Sequence, residues 1–210
     1  MDRPRHAEDH DRRSYRERRG WATQARQDRP RLTTVDSDAD PRLLRYLEEL
    51  RRWGSRTNLV GSTADEALRN HVEDSLSAAP ELPDGARVVD LGSGAGFPGV
   101  PIAIARPDLA IVLVEIRERR VHFLRHVVRE LGLGVEVLRE SIDRAPDVGF
   151  DVALVRALAP PERALEMASP WLVSSGEIWI WTKGSIPAGF EEVGAVSLGE
   201  RGRIAKVIPR

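Results

Sequence analysis

Val88-Val89-Asp90-Leu91-Gly92-Ser93-Gly94-Ala95-Gly96-Phe97-Pro98-Gly99 is a short aliphatic run, carrying one carboxylate, that passes directly into a glycine-rich turn. Glycines there permit a tight turn and let a ligand approach the backbone closely. Pro98 suits the first turn of a following helix, where its missing N–H has no intrahelical partner to lose. The stretch reads as strand, turn and helix, the opening of a ligand-binding α/β unit. Gly94 and Gly99 also bound a G-x-G-x-x-G pattern, and Glu115 stands about 20 residues further on, where a carboxylate can hold a ribose diol. A dinucleotide is therefore one reading to weigh, although a lone G-x-G-x-x-G is weak evidence for it.

Outward from that stretch, short aliphatic runs recur at residues 111–114, 135–138, 152–155 and 178–181, with helical spacing between them at 121–131 and 161–172. Such alternation predicts a parallel sheet covered by helices on both faces. Residues 194–197 and 203–208 read as closing strands joined by Gly199-Glu200-Arg201-Gly202. A late hairpin of this kind is expected of methyltransferases more than of dehydrogenases. Upstream, Asp40-Pro41 supplies a helix cap and a first-turn proline, with Leu43, Leu44, Leu47 and Leu50 spaced along one side and the stripe reaching Trp53. Thr63 with Glu66 three positions on has the pattern of a capping box and opens a second helix through His71 and Leu76.

A chain of 210 residues accommodates one such domain and not two. We expect a catalytic domain over residues 41–210 and a disordered arm over 1–40. The arm is rich in Arg and Asp, has almost no aliphatic side chains to offset ordering entropy, and is net positive by about four charges up to Arg31. It reads first as a solvated tail and second as an electrostatic contact for RNA phosphates. With 41% hydrophobic and 31% charged residues and a formal net charge of -1, the chain is no polybasic binder. The absence of cysteine excludes disulfides, thiolate nucleophiles and cysteine-based zinc sites. The five histidines show no ligand spacing, so no metal site is expected. No secretory signal core precedes the domain, and no apolar run approaches the roughly 20 residues that cross a bilayer. A soluble, cytoplasmic monomer is the expectation.

Three features favour S-adenosylmethionine over a dinucleotide. Asp90 precedes the glycines, where a carboxylate suits an ammonium and a sulfonium and poorly serves the anion-binding logic of a pyrophosphate turn. Ser141-Ile142-Asp143 follows the third strand at the carboxyl edge, where an acid and an apolar neighbour can hydrogen-bond and sandwich an adenine. Val155-Arg156-Ala157 follows the fourth strand at the same edge. The expected fold is thus α/β, a Rossmann-like class I S-adenosylmethionine-dependent methyltransferase with a mostly parallel seven-stranded sheet and a closing hairpin. Asp90, Gly92 and Gly94 are its first cofactor-binding candidates. Singly, each feature also has a structural reading, an Asp after a strand being commonly a helix cap.

The blocks Arg52-Trp53 through Asn58-Leu59, His71-Val72-Glu73-Asp74-Ser75-Leu76, the glycine turn with its continuation Phe97-Pro98-Gly99-Val100-Pro101, Arg120-Val121-His122-Phe123-Leu124, Val155-Arg156-Ala157 and Thr182-Lys183-Gly184 occur in this order. In that order the chain resembles the bacterial small-subunit ribosomal RNA N7-guanine methyltransferases, the RsmG or GidB family, over about residues 41 to 184. The resemblance implies methyl transfer from S-adenosylmethionine to N7 of a guanine in small-subunit (16S) ribosomal RNA, leaving S-adenosylhomocysteine. It implies cofactor contacts at Gly92, Phe97, Glu115, Ile142, Asp143 and Arg156, and substrate-side positions at Asn58, His71, Asp74 and Lys183. The chain departs from the family at Arg56, at Val60, in Ile116-Arg117-Glu118-Arg119 after the second-strand acid, and in the shortness of residues 185–192.

Guanine N7 already has a free lone pair, so positioning dominates and no strong base is needed. Asp74 is a candidate catalytic carboxylate for the positive charge that develops on the ring. Arg156 is a second catalytic candidate, orienting cofactor or phosphate, since its guanidinium cannot act as a base. Lys183 suits a phosphate contact. The basic run from residue 117 to 129 reads first as a solvated helix face and second as an RNA-facing patch. A methyltransferase acting on a small molecule or protein, and a noncatalytic RNA-binding relative, are the competing readings.

Overall fold

The structure, a computed structural model, describes residues 40–54, 59, 61, 64–147 and 149–210. The disorder expected of the arm to residue 39, and the readings placed on Arg56, Asn58, Val60 and Thr63, fall outside the described residues.

Helix α1 (Pro41–Gly54) begins as its sequence predicts: the Asp40 carboxylate accepts the Arg42 N–H at 2.8 Å, satisfying one of the unpaired donors of the first turn. Its buried stripe is Leu43, Tyr46, Leu47 and Leu50. Leu44, expected on that stripe, is 45% exposed, because it lies about 100° round the helix from Leu43 and Tyr46 takes the i+3 place. Helix α2 (Asp65–Leu76) has Ala64 at its N-cap, which brings no side-chain hydrogen bond to the first turn.

The remaining elements are β1 (Arg87–Leu91), α3 (Gly99–Ala105), β2 (Ala110–Val114), α4 (Glu118–Glu130), β3 (Glu136–Leu138), β4 (Phe150–Val155), α5 (Pro161–Ala168), β5 (Leu172–Thr182), β6 (Phe190–Ser197) and β7 (Arg203–Pro209). Among the described residues these strands form one seven-stranded sheet in the order β3-β2-β1-β4-β5-β7-β6. The first five are parallel, and β7 runs antiparallel to both β5 and β6. The expected α/β sheet with its closing hairpin is therefore present. Two boundaries differ from the expectation. The helix begun at Pro161 stops at Ala168 and passes through a 3-10 turn, Ser169–Trp171, because Pro170 brings no N–H to continue it. Strand β5 consequently begins at Leu172, well before residue 178, and β6 begins at Phe190.

Alternation along the strands divides the core. Val88, Leu113, Leu154 and Trp179 face α1 to α4, while Val89, Leu91, Val114, Val155 and Ile180 face α5 and Trp171. Asp90 shares the face of Val88, which turns its side chain beneath α3. Strand order reverses between β1 and its neighbours β2 and β4, so the carboxyl ends of these strands open on the crevice where such sheets take ligands.

Candidate functional site

At that crevice the glycine turn is tied to the sheet by backbone bonds: Gly92 and Ser93 both donate to the Val114 carbonyl, at 2.9 and 3.0 Å. Gly92, Gly94 and Gly96 have φ of 73°, 58° and 101°, values open to glycine at no steric cost. Glu115, 5% exposed at the end of β2, accepts the Gly94 N–H at 3.1 Å on one carboxylate oxygen and the Arg117 N–H at 2.8 Å on the other. Arg120 lies 3.6 Å from the first of these oxygens. Each oxygen keeps a second lone pair, so the carboxylate can still accept from ribose hydroxyls.

Asp90 is differently placed. It is 1% exposed, and its carboxylate accepts the Gly99 N–H at 3.0 Å, capping α3 from below. The first amide of α3 is thus satisfied internally, which weakens the pyrophosphate reading of the G-x-G-x-x-G pattern. Burial pushes the Asp90 carboxyl up from 3.8 to about 7, with the Gly99 N–H opposing. A carboxyl whose pKa is higher folded than unfolded binds its proton more tightly when folded. Its contribution to stability is full below pH 4 and fades as pH rises through about 7. Relative to Asp90→Asn, the wild type should therefore lose stability between pH 5 and pH 8. Urea midpoints measured at both pH values check this, and a constant difference between the two proteins would refute it.

Beside the glycine turn, Leu158 and Ile142 converge on Gly92: a methyl group built there would lie 2.6 Å from Leu158 Cδ1 and 3.6 Å from Ile142 Cδ1. Ile142 is fixed through its carbonyl, which accepts from buried Trp171 Nε1 at 2.8 Å. Asp143, next to it, is exposed and pairs with Arg163 at 3.2 Å. A buried carboxylate on one strand end, two apolar side chains over the glycines and a positive-φ turn form a hydrogen-bond acceptor and an apolar surface that fit an adenosine.

A second group closes the other side. Arg156 leaves the end of β4, where Ala157 adopts φ 52°, and reaches α2. Its guanidinium donates to Asp74 Oδ2 at 3.0 Å, to His71 Nδ1 at 2.8 Å and to the His71 carbonyl at 3.2 Å. Accepting on Nδ1 places the His71 proton on Nε2. Desolvation, with Arg156 as second cause, holds its pKa below the usual histidine value. Phe97 sits among these groups, its ring 5.2 Å from His71 and 5.4 Å from Tyr46, with Arg156 at 5.9 Å over its face. Tyr46 is fully buried and donates to the Ala95 carbonyl at 2.7 Å, so α1 braces the glycine turn directly.

The structure thus brings His71, Asp74, Phe97 and Arg156 into one cluster and Gly92, Gly94, Glu115 and Ile142 into another beside it. Asp90 lies beneath the turn, Asp143 at its outer rim, and exposed Lys183 beside Gly202 of the hairpin. Asn58 lies outside the described residues. Four participants escaped the sequence reading: Tyr46, Leu158, Trp181, whose Nε1 donates to the Asp74 carbonyl at 3.2 Å, and Arg201, whose Nε donates to Asp74 Oδ1 at 2.7 Å. Tyr46 carried a signal, being a polar-tipped side chain at the i+3 place from Leu43 in the apolar stripe of α1. Arg201 carried none, since 127 residues separate it from Asp74.

A family model described as rRNA small subunit methyltransferase G, GidB, matches residues 40–193. The Ribosomal RNA small subunit methyltransferase G of Desulfotalea psychrophila is 44% identical over 117 residues, 54% of this chain and 54% of that protein. The matched part therefore spans about half the length of that relative. The protein of the same name from Chromobacterium violaceum is 35% identical over 170 residues, 80% of this chain and 79% of that one. Among solved structures, an O-methyltransferase from neocarzinostatin biosynthesis in complex with S-adenosylmethionine superposes with a TM-score of 0.57 at 15% identity, over 80% of this chain and 61% of that one, a likeness of fold. Because the family match spans residues 40–193, a range that takes in α1, α2, the glycine turn and the ends of all five parallel strands, the chain belongs to the rRNA small subunit methyltransferase G family.

Proposed function

We propose that the protein is a methyltransferase that moves the methyl group of S-adenosylmethionine to N7 of a guanine in small-subunit (16S) ribosomal RNA, releasing S-adenosylhomocysteine. The family match over residues 40–193, which includes both clusters at the crevice, carries this reading. Bound S-adenosylmethionine supplies an electrophilic methyl carbon on a sulfonium. Glu115 would hold its ribose and Ile142 with Leu158 its adenine, against the backbone of Gly92 and Gly94, with Asp143 at the rim. Phe97 borders the side on which His71, Asp74 and Arg156 stand, and these groups would face the incoming guanine.

Guanine N7 attacks with its own lone pair, so the chain supplies orientation and no base. Asp74 has both oxygens engaged by guanidiniums. We read it as the group that aims Arg156 and, through Arg156, His71; this reading differs from its expected role as counter-charge to the ring. Exposed Lys183 suits a phosphate on the RNA side. A single domain over residues 41–210 carries the activity. Large exposed apolar side chains among the described residues are Leu44, Ile116 and Val193, on three separate segments, which supports a monomer. No helix among them is long and apolar enough to cross a membrane, and no His, Asp or Glu group among them is arranged to hold a metal ion. Ribosomal RNA as substrate favours a cytoplasmic site.

The test is incubation with radiolabelled S-adenosylmethionine and small-subunit RNA or particles from cells lacking a related enzyme, followed by mapping of the labelled nucleotide. Label on one guanine N7 is the expected result. Calorimetric binding of S-adenosylhomocysteine without label would move the substrate to a small molecule or protein, and RNA binding without transfer would make the chain a noncatalytic relative.

A further inference from the structure

Strand β3 ends the sheet and, among the described residues, pairs only with β2. Between β3 and α4 lies a groove of 520 Å³ whose floor includes Val128, Leu133 and Val137 and whose walls carry Arg125, Arg129 and Arg139. These three guanidiniums are exposed and weakly held. Arg125 reaches the Val137 carbonyl only at 3.5 Å, Arg129 stands 3.3 Å from His126 Nδ1 and 3.9 Å from Glu130, and Arg139 pairs with Glu118 at 3.2 Å with both side chains more than half exposed. Exposed pairs of this kind contribute little and exchange readily for a stronger anion. Glu136 is the one carboxylate in the lining.

We propose that this groove is a docking site for the phosphodiester backbone of the RNA substrate, outside the methyl-transfer crevice; the proposal rests on the RNA reading above. Three forked guanidiniums over an apolar floor match phosphates with sugars or bases between them. Placement supports the match. Arg139 directly follows β3, three residues before Ile142, so one end of the groove opens at the same sheet edge as the cofactor site. From β4, which carries Arg156, to β3 is three strand spacings, roughly 14 Å, a distance that a few nucleotides cover. A strand whose guanine enters beside Phe97 and Arg156 continues over the ends of β2 and β3 into the groove. Charge argues against two other occupants. The amino-terminal arm to Arg31 is itself net positive, and a second copy docking by two-fold symmetry would set one cationic groove against another.

The experiment compares wild type with the double variant Arg125→Gln, Arg129→Gln, and with Arg125→Glu, for binding of small-subunit RNA across a salt series, with S-adenosylhomocysteine calorimetry and thermal melting on the same samples. The expected result is RNA affinity reduced about 10- to 100-fold in the double variant and further in the charge reversal. The slope of log K against log salt should be shallower by about 1.4 to 1.8, the loss of two phosphate contacts. Cofactor-product affinity and melting temperature stay at wild-type values. Wild-type methylation of the RNA together with unchanged affinity and slope in the variants would overturn the groove alone. A wild type that neither binds nor methylates RNA would overturn the groove and the proposed function together. Variants that bind RNA normally but change sedimentation would overturn it in favour of a contact between copies.

Discussion

Replacement of Asp74 by Ala should lower methyl transfer by about two orders of magnitude and unfold the protein at a clearly lower urea concentration. Asp74 is 6% exposed and lies between two guanidiniums, Arg156 at 3.0 Å and Arg201 at 2.7 Å. The two pairs are not equal. Arg201 is 43% exposed at its side chain, so water can replace its partner at small cost. Arg156 is 14% exposed, and loss of the carboxylate leaves its charge with neutral partners: the His71 ring nitrogen, the His71 carbonyl, a 3.5 Å contact to Ser75 and the Phe97 ring at 5.9 Å. Breaking a buried pair from one side costs about 3 kcal/mol. Released from Asp74, Arg156 no longer fixes the side of the crevice formed by His71 and Phe97, and a displacement of about 1 Å there is enough for a hundredfold loss. Urea unfolding and single-turnover methylation at saturating cofactor check the two halves. Wild-type stability or wild-type turnover in Asp74→Ala would remove the positioning role. Arg201→Gln serves as the comparison, with a much smaller loss in both.

Gly99→Ala should destabilise the protein by about 3 kcal/mol, more than an alanine normally costs at the start of a helix. A methyl group on Gly99 would lie 2.4 Å from Leu113 Cδ2, 2.6 Å from Asp90 Oδ2 and 3.1 Å from Asp90 Cβ. Leu113 and Asp90 are buried on β2 and β1, so neither can yield without moving the sheet or lifting α3 away from it. Lifting α3 also stretches the Gly99 N–H bond to Asp90. Gly132→Ala is the control: its φ is 60° and nothing lies within 4 Å of the added carbon, so it should show only the backbone penalty of about 1 kcal/mol. Equal urea midpoints for the two variants would show that α3 is not held this closely against the sheet.

Gly99 also shows how one residue can satisfy two patterns. In the sequence it completes a G-x-G-x-x-G that allows a dinucleotide. In the structure it is the point where a helix lies directly on two strands, and its amide is taken by Asp90. The motif is the same because close helix–strand packing demands glycine whichever ligand binds above it.

The sequence by itself determined the order and type of the elements. Short continuous aliphatic runs alternating with helical spacing leave a parallel sheet with helices on both faces as the arrangement that buries most of the apolar side chains, and the paired runs at the end leave a hairpin. It also placed Glu115, Ile142 and Arg156 at strand ends, because the carboxyl edge of a parallel sheet is where its loops gather. Which face each of those side chains takes was decided only by tertiary structure. Asp90 sits in the register of Val88, so it turns beneath α3 and caps it. Arg156 turns towards α2, where His71 and Asp74 await it. Arg201 reaches Asp74 because β7 returns between β5 and β6 and brings the turn before it back to α2. These are contacts between residues far apart in the chain, and a guanidinium has no preferred partner until packing and exclusion of water leave one carboxylate within reach.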